Sequence, residues 1–243
     1  KFFNSGKHKI IKITTQEGYE LSGSYNHPVL VWQLNEFDVP QIQWKLLADL
    51  TTNDYLLINR QTALFSKKNI SLRKYHPKTT PRHKKIGLPK LMNKDLAFLL
   101  GALVAEGSFH NQQILFNNQD TNFYNKVRKI IVSQFKNINI YERTIKGLPT
   151  GASGQCQELS VYPQAAVKFL HNIGLVPDKS DKKEIPFSVL LSRKSVIKSF
   201  LQALFEGDGS VIHHQDKRHQ GQSIELVYNS KSPKLIQQLK VLL

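Results

Sequence analysis

Glu106 and Asp208 each close an apolar run rich in small residues. The first run is Phe98-Leu-Leu-Gly-Ala-Leu-Val-Ala-Glu-Gly-Ser108, and the second is Phe200-Leu-Gln-Ala-Leu-Phe-Glu-Gly-Asp-Gly-Ser210. Aligned without gaps they lie 102 residues apart and share Phe, Leu, Gly and Ser, with Glu in one copy where the other has Asp. Such a repeat implies two related halves, each delivering one carboxylate. Read as helices, both runs place their acid in the last turn, at the negative end of the helix dipole. An acid there is unfavourable by about 0.3–1 kcal/mol, unless a cation sits beside it. Carboxylates and neighbouring carbonyls are hard oxygen donors suited to Mg²⁺. A cation so held stabilises the attacking and leaving oxygens of a phosphodiester hydrolysis. The bland reading is two buried helices with solvated terminal acids; the duplication and the basic surroundings weigh against it.

Those surroundings are strongly one-sided. The chain of 243 residues has 34 Lys and Arg against 18 Asp and Glu, a net charge of +16, which is a polyanion-binding balance. Between Asp54 and Asp95 there is no acid, while 11 Lys or Arg residues crowd the same stretch. Lys67, Lys68, Arg73, Lys74, Arg82, Lys84 and Lys85 among them, interspersed with Pro77, Pro81 and Pro89, read as a basic linker or a phosphate-tracking arm. No apolar run reaches the roughly 18 residues that a membrane span needs. The single Cys156 excludes an internal disulfide and a cysteine zinc cluster. The chain therefore reads as soluble, intracellular and non-secreted, with Cys156 incidental.

Elements must bring the two acids together. Residues 1–59 read as β-rich: a hairpin around Gln16-Glu17-Gly18, strands at Pro28–Trp32 and Tyr55–Ile58, and a short helix or turn at Trp44–Leu50. From Lys94 onward, helices alternate with strand pairs. Asp95 is expected to cap the first motif helix and Asp120 the next. A hairpin is expected over Phe109–Asn117, and strands at Ile138–Tyr141 and Glu158–Tyr162 around a loop with Gly147, Gly151 and Gly154. A helix over Ala165–Ile173 ends at Gly174. Ser195–Asp208 repeats the motif helix, Val211-Ile212 and Glu225–Tyr228 form a second hairpin, and Ser232 begins a last helix. Gly107 and Gly209 are expected to end the motif helices in left-handed conformation. Gly101, Ala102, Ala105, Ala203 and Gly207 are small enough for two helices to approach closely. Phe116-Asn117 matches Tyr228-Asn229 at an offset of 112, so the second hairpin is about ten residues longer. The second half is expected to be cut short at Leu243. His213, His214 and His219, with Asp216, Lys217 and Arg218 nearby, read as a solvated or DNA-facing hairpin rather than a metal cluster.

Both motifs resemble the LAGLIDADG motif of homing endonucleases, Leu99–Gly107 and Leu201–Gly209 filling its nine positions. The second is close to the motif; the first has Val104 for its first acid and Glu106 for the usual Asp. The resemblance implies a Mg²⁺-dependent, site-specific cut of double-stranded DNA, with Glu106 and Asp208 as metal ligands and catalytic residues. The motif helices would form the interface between halves, under antiparallel saddle-shaped sheets lying on the DNA. Lys182-Lys183-Glu-Ile-Pro186 resembles the Lys-x-Ile-Pro element of intein-encoded, DOD-type (dodecapeptide) members. That likeness gives Lys183 a place at the active site; the alternative is a basic loop residue. Gly18–Leu30 resembles an intein splicing block, with Ser24 and His27 in the places of its Thr and His. A splicing nucleophile and a terminal His-Asn pair are both absent from Lys1–Leu243, so an interior fragment of an intein is expected.

The reading is thus an α+β chain: a partial Hint-type splicing domain at 1–59, a basic arm at 60–93, and a pseudo-twofold endonuclease domain at 94–243. Its halves are 94–190 and an incomplete 191–243. Lys67, Lys68, Arg73, Lys74, Arg82, Lys84, Lys85, Lys217 and Arg218 are the expected DNA contacts. The expected partner is duplex DNA, with no small-molecule substrate and no membrane, bound by a monomer with internal pseudosymmetry. The rival is a decayed nuclease that keeps only DNA binding or the splicing role of a full intein.

Overall fold

A computed structural model describes residues 4, 6–59, 65–78, 86–110, 113–146, 155–175, 180–216 and 221–243. Two compact units divide the chain, Lys1–Leu64 and Phe65–Leu242. Antiparallel strands make up the first, and helices with antiparallel strands the second, an α+β composition.

In the first unit, β1 (Ile10–Thr14) and β2 (Glu20–Ser24) form the expected hairpin. β3 (Pro28–Leu34) pairs with both β4 (Pro40–Leu46) and β5 (Tyr55–Leu56). Trp44 lies within β4, opposite Leu30, and not in a helix or turn. Ile42, Trp44 and Leu46 alternate with Gln41, Gln43 and Lys45, a period-2 pattern that β3 completes by pairing. Only Leu47–Asp49 coils, as one 3₁₀ turn. Asp54 fixes the approach to β5: Lys45 Nζ donates to it at 2.9 Å, and the Thr51 amide at 2.6 Å. These bonds, the lysine's first, hold its carboxyl below the ordinary carboxylate range.

In the second unit, α1 (Lys94–Glu106) is buried without interruption from Leu96 to Ala105. A helix apolar on every side belongs inside a core. Its cap is Asn93, not Asp95: the Asn93 side chain accepts from the Leu96 amide at 2.8 Å and donates to Gln134 at 2.9 Å. Asp95 falls within the first turn, where its charge still suits the positive helix end. α1 leads into the hairpin of β6 (Gly107–His110) and β7 (Gln113–Asn118). α2 (Thr121–Gln134) follows, capped by Asp120 as expected. β8 (Ile140–Lys146) starts two residues late, because Asn137 turns at φ 62°. With β9 (Gln155–Val161) it completes the sheet β6-β7-β9-β8. Ile114, Phe116, Leu159 and Val161 bury one face of that sheet with residues of α2 and α3 (Gln164–Asn172).

α4 (Phe187–Leu190) precedes α5 (Lys194–Asp208), after which the pattern repeats: hairpin β10 (Gly209–Asp216) and β11 (Gly221–Tyr228), then α6 (Pro233–Leu242). Ser232 caps α6, its hydroxyl accepting from the Leu235 amide at 3.2 Å. The register repeats as well. Gly107 faces Phe116 across the first hairpin, and Gly209 faces Tyr228 across the second.

The described parts of the 60–93 segment are packed chain rather than a free arm. Leu72 and Met92 have no exposed surface, and Ser71 bridges to Leu91 and Gly87 to Lys136. Apolar residues set between the lysines anchor the segment, a signal that the charge count hides. Arg82, Lys84, Lys85, Lys217, Arg218, His219 and the Gly147–Gly154 loop lie outside the described residues.

Candidate functional site

α1 and α5 pack side by side and run in the same direction. Ser199 of α5 donates to the Lys94 carbonyl at the start of α1 at 2.9 Å. Further along, a Cβ on Gly101 would stand 2.3 Å from the Phe200 carbonyl oxygen, and one on Gly207 would stand 2.5 Å from Ala105 Cβ. No side chain fits at either place, so the glycines set the helix separation. Gly107 and Gly209 have φ of −75° and −88°, not left-handed. Close approach to the preceding turn is what excludes a side chain there: a Cβ would lie 2.3 Å from the Leu103 carbonyl and 2.4 Å from that of Phe205.

Parallel packing brings Glu106 and Asp208 to one end of the pair. Burial, and then the charge of Asp208, push the Glu106 carboxyl above its ordinary range, against the pull of Lys183. Burial likewise raises Asp208, opposed by Lys183 and by a hydrogen bond from Tyr228. Two aligned helix dipoles add negative potential at the same place. Among the described charges influencing both acids, Lys183 alone is positive.

Lys183 is held there by α6. Its Nζ donates to the Ala105 carbonyl at 2.8 Å, and its own carbonyl accepts from the Ser232 hydroxyl at 2.5 Å. The Ile185 amide donates to Gln238 at 2.7 Å, buried Ile185 packs into the core, and Lys234 pairs with Glu184. Sequence reasoning thus named three residues that the fold brings together. It missed a fourth: the Tyr228 hydroxyl lies 3.4 Å from Asp208 Oδ2 and donates to it. The matching Phe116-Asn117 and Tyr228-Asn229 pairs were the available signal. Cys156 lies within the field of Glu106; burial first, then Glu106 and Glu158, raise its thiol.

Other expected residues lie elsewhere. Arg193, at the start of α5, donates from Nε to the Lys67 carbonyl at 2.6 Å and from its amide to Asn69 at 3.2 Å. Exposed Lys67 and Lys68 therefore sit near the opposite end of α5, a helix about 21 Å long at 1.5 Å per residue. Arg73 and Lys74 lie in a 3₁₀ turn that Tyr75 docks against Phe187. In the first unit, Ser24 and His27 share a tight turn, the His27 amide donating to the Ser24 carbonyl at 3.0 Å. His214 pairs with Glu225 at 3.1 Å on an exposed strand.

The donor set suits a hard cation. Among the described residues no three of His, Cys, Asp and Glu converge on one point. Mg²⁺ needs no such cage, because it keeps several waters and is commonly held by one or two carboxylates with substrate phosphates.

Residues 195–243, which include the second motif, match the model of the LAGLIDADG-like domain. The DNA gyrase A protein of Mycobacterium gordonae is 29% identical over 210 residues, 86% of this chain and 34% of that protein. The DNA gyrase A protein of Mycolicibacterium flavescens is 28% identical over 243 residues, 100% of this chain and 38% of its own length. A more distant relative is the A component of the A-type ATP synthase of Pyrococcus abyssi, 23% identical over 86% of this chain and 19% of that protein. The chain thus spans about a third of the mycobacterial relatives and a fifth of the archaeal one. None of its described helices is long and apolar enough to cross a membrane.

Proposed function

We propose that this LAGLIDADG-like chain is the endonuclease-bearing part of an intein, and that it makes a site-specific double-strand cut in DNA with Mg²⁺. The observation that carries the reading is the meeting of Glu106 and Asp208 at one end of two parallel helices, with Lys183 beside them. The relatives support the insertion. A DNA gyrase A protein and an ATP synthase A protein each match most of this chain within a minor part of their own length. A segment common to unrelated hosts travels independently of what they do.

In this reading Glu106 and Asp208 would hold the Mg²⁺ that the cut requires. The bound ion would supply charge stabilisation for the attacking and leaving oxygens. Lys183, anchored on the Ala105 carbonyl, neutralises charge that develops on the phosphate. Tyr141 and Arg143, opposite Ser160 and Glu158, lie on the sheet face away from Phe116 and Leu159 and face the DNA. Arg73, Lys74, Arg82, Lys84, Lys85, Lys217 and Arg218 add phosphate contacts. Lys67 and Lys68, near the far end of α5, contribute longer-range attraction. Ser24 and His27 belong to the splicing role of the whole intein.

Val104 and Glu106, where the motif has its first acid and an Asp, favour a second reading in which cleavage has decayed and binding or splicing remains. One assay separates them. The full-length protein is incubated with a plasmid carrying an uninterrupted gyrase A coding sequence, in Mg²⁺ and in EDTA. A single Mg²⁺-dependent linear product is expected, and Asp208→Asn abolishes it while still binding the DNA. Binding without cleavage by the parent protein selects the decayed nuclease.

A further inference from the structure

The two halves repeat in register but not in chemistry. Gly107 faces Phe116 and Gly209 faces Tyr228, so these aromatics occupy the same place in their hairpins. Each contacts its own half's structure. Phe116 is fully buried and packs against Phe123 and Tyr124 of α2. Tyr228 is half-buried with its ring centroid 5.2 Å from that of Phe205, in the turn that ends at Asp208. Its hydroxyl reaches Asp208 Oδ2 at 3.4 Å. Glu106 has no such neighbour at the related position, because Phe116 carries no hydroxyl.

We infer that Tyr228 is a positioning residue that orients the Asp208 carboxylate for a divalent cation. The proposal rests on the reading of Glu106 and Asp208 as a cation-holding pair. A donor on Oδ2 fixes the plane of the carboxylate that would hold the ion. Packing against Phe205 fixes the tyrosine ring in turn. Hydrogen bonds to a ligating carboxylate are worth roughly 10–100-fold in affinity or activity. At 3.4 Å this bond belongs at the low end.

The test uses calorimetric titration of the full chain with Mn²⁺, comparing the parent with Tyr228→Phe and Asp208→Asn. Tyr228→Phe removes one oxygen and installs the residue that the first half already has. It is expected to weaken Mn²⁺ binding about 10-fold, with an unchanged thermal midpoint in EDTA. Asp208→Asn is expected to lose that binding. If Asp208→Asn loses Mn²⁺ but Tyr228→Phe binds it like the parent, the positioning role is overturned and the cation pair stands. If Asp208→Asn also binds like the parent, the cation pair fails and the role built on it fails too.

Discussion

Glu106 and Asp208 illustrate a site assembled at the expense of stability. Both carboxyls are pushed above their ordinary values by burial, and Glu106 further by its like-charged neighbour. The folded state therefore binds protons more tightly than the unfolded one. Stability conferred by protonation is present at pH below the ordinary carboxylate values and is lost as pH rises through the raised ones. At neutral pH without a cation, the ionised pair opposes folding. Asp208→Asn is thus expected to raise the thermal midpoint in EDTA at pH 7.5 by about 2 °C, a small effect because these half-exposed groups are screened. Mg²⁺ should raise the midpoint of the parent and leave the variant unmoved, as scanning calorimetry would show. A lower midpoint for the variant in EDTA would contradict the repulsion. At this scale the meeting of Glu106, Asp208 and Lys183 was readable, because each repeated or sat in a motif. The place of Tyr228 beside Asp208 was not, because it depends on the pairing of Gly209 with a strand that lies 19 residues on.

Elements place those residues, and two substitutions separate the causes. Gly101→Ala puts a Cβ against the Phe200 carbonyl, which belongs to backbone and cannot swing aside. Such overpacking is expected to cost about 1–3 kcal/mol in urea denaturation. A neutral result would mean that the helices are less closely packed than the structure shows. Asn93→Ala removes the α1 cap and should cost about 1 kcal/mol, whereas Asp95→Ala should cost less because no capping bond is lost. The reverse order would restore Asp95 as the cap. Helix existence was legible from small-residue runs and apolar periodicity. The cap was misplaced because Asn93 and Asp95 are equally plausible in isolation, and only the Leu96 amide decides between them. Trp44 was misplaced for a related reason: the alternation of β4 becomes informative once β3 lies beside it.

For the whole molecule, charge and duplication matter most. A net charge of +16 predicts DNA binding that weakens steeply with salt. Neutralising about 6 phosphates would lower affinity about 10³-fold between about 50 and 200 mM salt, measurable by fluorescence anisotropy. A flat salt profile would disconnect the charge from DNA. Composition reads as polyanion-binding but hides Leu72 and Met92, core residues set among the lysines of 60–93. The repeat, by contrast, was legible across both halves, since helix, hairpin and helix recur in one order and one register. The central claim is that these halves converge on one divalent-cation centre. Its most direct test is anomalous X-ray diffraction from crystals of the protein grown with Mn²⁺. Anomalous density is expected within coordination distance of the Glu106 and Asp208 carboxylates, and is expected to vanish in Asp208→Asn. Mn²⁺ bound elsewhere, with that pair bare, would contradict the claim.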